Sequence, residues 1–174
     1  MFKKFITILS VFFLLSGCSG MALDTFKDAK PELVLEDYFQ GRTEAWGIFE
    51  DRFGKLRRQF KVTIDGTWDG KILTLDERFK YDDGETDQRI WRIKRVGKGK
   101  YEGRAADVIG IATGEASGNA LNWRYDMNLK VGDGTMKVAF NDWMFLQSDG
   151  VLINRARVSK LGVEIGSVTL FFKK

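Results

Sequence analysis

From Gly41 onward, apolar and polar residues alternate in short runs, broken by turn-forming residues at intervals of roughly 10 to 15 residues. The runs predict strands over 43–50, 56–65, 71–81, 85–96, 100–106, 109–116, 120–130, 136–147, 151–160 and 163–173. The predicted turns are Asp65-Gly66, Asp69-Gly70, Asp83-Gly84, Gly97-Lys98-Gly99, Ser117-Gly118-Asn119, Gly132-Asp133-Gly134 and Asp149-Gly150. Connections this short make consecutive strands antiparallel neighbours. A long meander buries its edges best by closing on itself. The pattern therefore predicts an all-β, single antiparallel up-and-down barrel over residues 31–174, with a two-sheet sandwich as the alternative. Lys and Arg on the outward positions of most strands argue against a membrane-spanning barrel. Before the strands, Pro31-Glu32 suits the first turn of a helix, predicted over 31–39. Residues 18–30 are polar and aperiodic, and read as a tether.

Strand parity then sorts side chains between the two faces. In 71–81, Leu73, Leu75, Glu77, Phe79 and Tyr81 share the apolar face. The next strand puts Arg89, Trp91 and Ile93 together. A three-residue loop, Asp82-Asp83-Gly84, pairs Leu75 with Trp91 and Glu77 with Arg89, whereas a two-residue loop mixes the faces. At the C-terminal hairpin, the loop Ser148-Asp149-Gly150 pairs Leu146 with Leu152, Met144 with Asn154 and Asp142 with Ala156. Between them, a four-residue loop over 132–135 pairs Leu129 with Val138 and Tyr125 with Asp142. Alternation from Leu56 to Ile64 turns Arg58 inward as well.

The predicted interior thus holds Arg58, Glu77, Arg89, Tyr125, Asp142 and Asn154 among apolar walls that include Leu75, Phe79, Trp91, Trp123 and Met144. A buried charge costs several kcal/mol unless paired. Two readings stay open. The arginines and acids form a satisfied ion-pair network, or they line a cavity in which Arg58 or Arg89 meets an anionic head group and the apolar wall holds an acyl chain.

Composition narrows the chemistry. The chain has no histidine, which removes the commonest metal ligand and the commonest general base near neutral pH. Its formal charge is +4, with acids and bases interspersed rather than in blocks, so a nucleic-acid partner is not indicated. No metal constellation or phosphate loop is visible, and no cofactor is implied. The acidic cluster Asp82, Asp83, Glu85 and Asp87 reads as a solvated turn. Glu77 and Asp142 are the one carboxylate pair that fits acid–base work, so an enzyme remains a minor alternative.

The first residues carry an address. Met1-Phe2-Lys3-Lys4 is a basic start, and Phe5–Leu15 is an apolar run well short of the roughly 20 residues a spanning helix needs. Leu15-Ser16-Gly17-Cys18 follows, and Cys18 is the only cysteine. The segment resembles a bacterial lipobox, which implies a signal peptide over 1–17 and lipidation at Cys18. An ordinary signal peptide or a short anchor is the alternative. With Cys18 acylated, no thiol remains for a disulfide, so the domain must hold together by packing.

Trp46-Gly47-Ile48-Phe49, Asp51-Arg52-Phe53-Gly54, Leu75-Asp76-Glu77-Arg78-Phe79, Asp83-Gly84-Glu85 and Arg89-Ile90-Trp91 occur together here, with Asp142-Trp143-Met144 and Asn154-Arg155-Ala156-Arg157 further on. In combination they resemble a family of Gram-negative lipoproteins defined by a domain of unknown function. The resemblance implies a lipocalin-like barrel on an outer-membrane lipoprotein, and it carries no catalytic residue. Ser19 after the cysteine, where Asp would signal retention at the inner membrane, implies the outer membrane with the domain facing the periplasm. The expected role is binding or carriage of a fatty-acyl or phospholipid-like amphiphile. The alternatives are a structural or assembly lipoprotein with a filled barrel, and an enzyme on a lipid-like substrate using Glu77 or Asp142.

Overall fold

The computed structural model describes residues 20–174, so Cys18 and the segment before it lie outside the described residues. Ten strands are present: β1 (Gly41–Asp51), β2 (Leu56–Trp68), β3 (Ile72–Tyr81), β4 (Thr86–Gly97), β5 (Lys100–Arg104), β6 (Val108–Ser117), β7 (Ala120–Val131), β8 (Gly134–Leu146), β9 (Leu152–Lys160) and β10 (Val163–Lys173). Each pairs antiparallel with its neighbour in sequence, and β10 returns to β1, which closes the barrel and excludes the sandwich. Alternation places every strand within three residues of its observed ends.

The registers follow the expected parity. Leu75 pairs with Trp91 and Glu77 with Arg89 across β3–β4. Leu146 pairs with Leu152, Met144 with Asn154 and Asp142 with Ala156 across β8–β9. The β7–β8 hairpin differs. Its loop is the two-residue Gly132-Asp133, so Val131 pairs with Gly134, Tyr125 with Phe140 and Trp123 with Asp142. Gly132 has φ +55°, which suits glycine at the first central position of a two-residue hairpin turn. A slip of two residues keeps every side chain on its face, so apolar matching alone does not separate the two loops.

The N-terminal segment departs further from expectation. Leu33 donates its backbone N–H to Gly118 O at 2.8 Å, which pins the chain in an extended form just after Pro31. The helix α1 therefore begins later and is short, Leu35–Phe39. It plugs one end of the barrel, with Leu33, Leu35 and Phe39 fully buried. Glu36 accepts hydrogen bonds from Arg95 Nη1 and Tyr101 Oη, both at 3.1 Å, and stitches the plug to β4 and β5. The expected tether is also partly ordered. A 3₁₀ turn over Leu23–Phe26 lies on the outside of β6 and β7, where the Phe26 ring meets the Trp143 and Phe145 rings.

Asp65-Gly66 is not a turn; β2 runs through it to Trp68. Glycine is required at 66 because α1 crosses there, and a Cβ would overlap the carbonyl oxygen of Phe39. Gly66→Ala should lower stability by about 3 kcal/mol, because backbone rather than a flexible side chain must move. Urea denaturation measures the loss, and a change under about 1 kcal/mol would show that α1 does not seal the barrel.

Candidate functional site: a hollow barrel with a polar belt

Antiparallel order puts the β1–β2, β3–β4, β5–β6, β7–β8 and β9–β10 tips at the end opposite α1. A cavity of about 440 Å³ runs between the two ends. Leu35 and Phe39 of the plug line it, and so do the exposed side chains of Arg57 and Lys130 near the hairpin tips, so the cavity reaches solvent at the tip end. Its volume falls within the usual range for small-molecule sites.

The wall has three zones. Against the plug, Ile64, Leu75, Trp91, Leu121, Trp123 and Phe172 form an apolar floor. The Trp91 and Trp123 rings meet edge to face at 5.7 Å. Trp123 lies flat on the barrel wall because Gly103 and Gly114 carry no side chain there; a Cβ on either would enter the indole. Towards the mouth, Phe60, Phe79, Tyr81 and Phe140 form an aromatic zone. Between them Glu77, Arg89, Tyr125, Asp142 and Asn154 form a polar belt.

Within the belt, Arg89 is held mainly by Asp107. Its Nε donates to Asp107 Oδ2 at 2.9 Å and Nη2 lies 2.9 Å from the same carboxylate. Glu77 is a looser partner at 4.0 Å. Asn154 Nδ2 donates to Asp142 Oδ1 at 3.1 Å, while Asn154 Oδ1 is buried with no hydrogen-bond partner. One guanidinium thus faces three carboxylates, Glu77, Asp107 and Asp142. Burial, opposed by the Arg89 charge, pushes the Glu77 carboxyl up to about 7. Burial likewise lifts Asp142 to about 7, against the pull of the Asn154 hydrogen bond and Arg89. Burial, with the Asp142 charge, raises the Tyr125 hydroxyl well above its ordinary value. Within the belt, Glu77 and Asp142 are therefore the two groups poised to exchange protons near neutral pH, while Tyr125 stays protonated.

Arg58 is placed apart from the belt. Its side chain is 31% exposed at the mouth, bonded to Asp83 at 2.8 Å and to Glu85. It lies flat over the Tyr81 ring, 3.6 Å from the centroid. The cause is a register shift opposite Phe49–Glu50, which leaves one extra residue on β2 and turns both Arg57 and Arg58 to the opening. The acidic turn is exposed, as expected, but two of its members also clamp Arg58. The remaining residues named from the sequence, Leu75, Phe79, Trp91, Trp123 and Met144, all line the cavity. Among the described residues, no group of three or more Cys, Asp or Glu is arranged to hold a metal.

The family described as protein of unknown function (DUF3833) matches residues 12–174. The chain belongs to this family. No curated protein matches the sequence. Among solved structures, the DUF3833 chain is similar to the S-type phycobiliprotein lyase CPES from Guillardia theta, with a TM-score of 0.57 and 7% sequence identity over 79% of this chain and 88% of that one. At that identity the likeness concerns the fold alone, a lipocalin-like barrel. Asp107 is the member of the polar belt that sequence reading missed. It sits in the β5–β6 connection, where Ala105-Ala106-Asp107 shows no alternation and an Asp reads as a turn residue.

Proposed function

We propose that this chain binds and carries an amphipathic ligand, fatty-acyl or phospholipid-like, inside the barrel. The observation that carries the reading is the order of zones: an apolar floor, a polar belt and an open mouth in one continuous cavity. An acyl chain matches the floor. An acidic head group reaches Arg89 by taking over from Glu77, whose carboxyl readily gives up its charge. A neutral head group bonds to Asp142 and supplies the donor that Asn154 Oδ1 lacks. The proposal includes lipidation at Cys18 and attachment to the outer membrane facing the periplasm, which suits a ligand of low aqueous solubility. Incorporation of a fatty-acid probe into wild type but not Cys18→Ser tests that part.

The binding itself is tested by titrating the domain with a fatty acid while following tryptophan fluorescence, since Trp91 and Trp123 line the floor. Wild type should show a saturable change. Ala156→Phe, which projects a ring into the cavity beside Asp142, should weaken binding at least about tenfold while the fold persists by circular dichroism. No saturable change in wild type would sink the reading. A second reading, an enzyme on a lipid-like substrate, draws on the elevated Glu77 and Asp142 carboxyls; ester hydrolysis lost in both Glu77→Gln and Asp142→Asn would favour it over carriage.

A further inference from the structure

The mouth is asymmetric in a way that folding does not require. The β1–β2, β9–β10 and β7–β8 tips stand side by side, because β2, β1, β10, β9, β8 and β7 are consecutive in the closed sheet. Arg52 N donates to Ile165 O at 3.0 Å and ties the first tip to the second. On this arc the apolar side chains point into water. Phe53 is 80% exposed and Leu161 95%, and Leu56, Val131 and Val163 are each about half exposed. Basic residues stand among them: Arg52, Lys55, Lys130 and Lys160 are exposed, while Arg57 is paired with Asp51. The acids on the arc besides Asp51 are Glu50, which is half-buried opposite Leu56, Asp133 and Glu164, and Glu164 faces Arg157 at 3.9 Å. The opposite arc has the other character, with Asp82, Asp83, Glu85 and Asp87 around the β3–β4 tip.

Leu161 is the most telling residue. With Gly162 it forms a two-residue turn, and both have positive φ, +49° and +79°. That turn favours Asn-Gly, and a side chain such as leucine is disfavoured in the left-handed region. Leucine there gains no burial within the barrel in return. An apolar side chain held at a strained tip, fully in solvent, next to the opening of an apolar cavity, has a use only against an outside partner.

We propose that this arc docks on an anionic lipid bilayer. Phe53, Leu56, Val131, Leu161 and Val163 enter the head-group layer, and Arg52, Lys55, Lys130 and Lys160 meet lipid phosphates. The alternation of single apolar tips with long cationic side chains matches the bilayer interface, where charge and apolar contact are both available at one depth. The acidic arc stays clear of the surface, which tilts the barrel and leaves the mouth facing the lipid. Docking needs no particular cavity occupant, so it stands apart from the carrier reading.

The described residues contain a complete closed barrel with its own core and no cysteine, so the domain of residues 20–174 accepts a single labelled cysteine cleanly. An environment-sensitive fluorophore is placed at Leu161→Cys, and in a second protein at Lys98→Cys in the β4–β5 turn of the plugged end. Vesicles of phosphatidylcholine, with and without phosphatidylglycerol, are the probe. The expected result is a blue shift at position 161 only, only with phosphatidylglycerol, and weakened by added salt. Phe53→Asp should weaken the response about tenfold, with the barrel intact by circular dichroism. No shift at 161, or equal shifts at 161 and 98, would overturn the proposal. A fatty-acid titration without vesicles reports the cavity separately, so failure of docking and failure of carriage are distinguishable.

Discussion

Arg89→Ala should lower the unfolding free energy by about 3–5 kcal/mol, among the largest losses expected of a single substitution in this barrel. Arg89 is mostly buried and faces Asp107, Glu77 and Asp142. Its loss strips Asp107 of its main counter-charge and forces Glu77 and Asp142, already lifted to about 7, to take up protons, so the cost is mainly that of the acids left behind. The comparison with Arg58→Ala is therefore informative. Arg58 has two carboxylate partners as well, but it sits at the wet mouth, and its loss should cost about 1 kcal/mol or less. The triple variant Arg89→Met, Glu77→Gln, Asp107→Asn should recover part of the Arg89→Ala loss, because it removes the stranded charges along with the guanidinium. Urea denaturation of the four proteins measures all of this. Equal, small losses at Arg89 and Arg58 would mean that the belt is solvated and is not a buried network.

Stability should fall as pH rises from about 4 to about 7. Glu77 and Asp142 hold protons more tightly folded than unfolded, with carboxyls lifted from ordinary values of 4.5 and 3.8 to about 7. Folding therefore takes up protons in that window. The stabilisation is complete below the unfolded values and is lost as pH climbs through the folded ones. Each group contributes on the order of 3 kcal/mol across the window. Because both interact with Arg89, the two contributions should not simply add. Asp69 works in the opposite sense at lower pH: the backbone N–H groups of Ile72 and Lys71 hold it below its ordinary value, so its contribution fades as pH falls. Glu77→Gln and Asp142→Asn should each flatten the slope between pH 4 and 7. A wild-type protein whose stability rises over that range would contradict the buried belt.

What the sequence discloses follows from parity and loop length. The Glu77–Arg89 pairing is readable because the loop Asp82-Asp83-Gly84 sets Leu75 opposite Trp91 and Leu73 opposite Ile93, whereas a two-residue loop mixes the faces. The β7–β8 register is not, since a two-residue slip preserves faces and only the φ of Gly132 decides it. Arg58 reads too deep because a bulge is invisible to strict alternation. Asp107 escapes notice because a connection has no periodicity from which to infer direction. The plug reads as a longer helix because Pro31-Glu32 suits a helix start; a distant hydrogen bond from Leu33 to Gly118 fixes the extended form instead. Local pattern thus reveals the barrel and most of the belt, while the parts set by long-range contacts come only from the structure.

On the proposed carrier role, the barrel is hollow in order to hold a lipid-like molecule. Native mass spectrometry of protein purified gently from the cells that make it, followed by lipid extraction, addresses it most directly. A mass excess over the protein is expected, released by organic solvent as a fatty acid or phospholipid, and absent from Ala156→Phe. Protein recovered without bound lipid, and unable to take up added fatty acid, would contradict it.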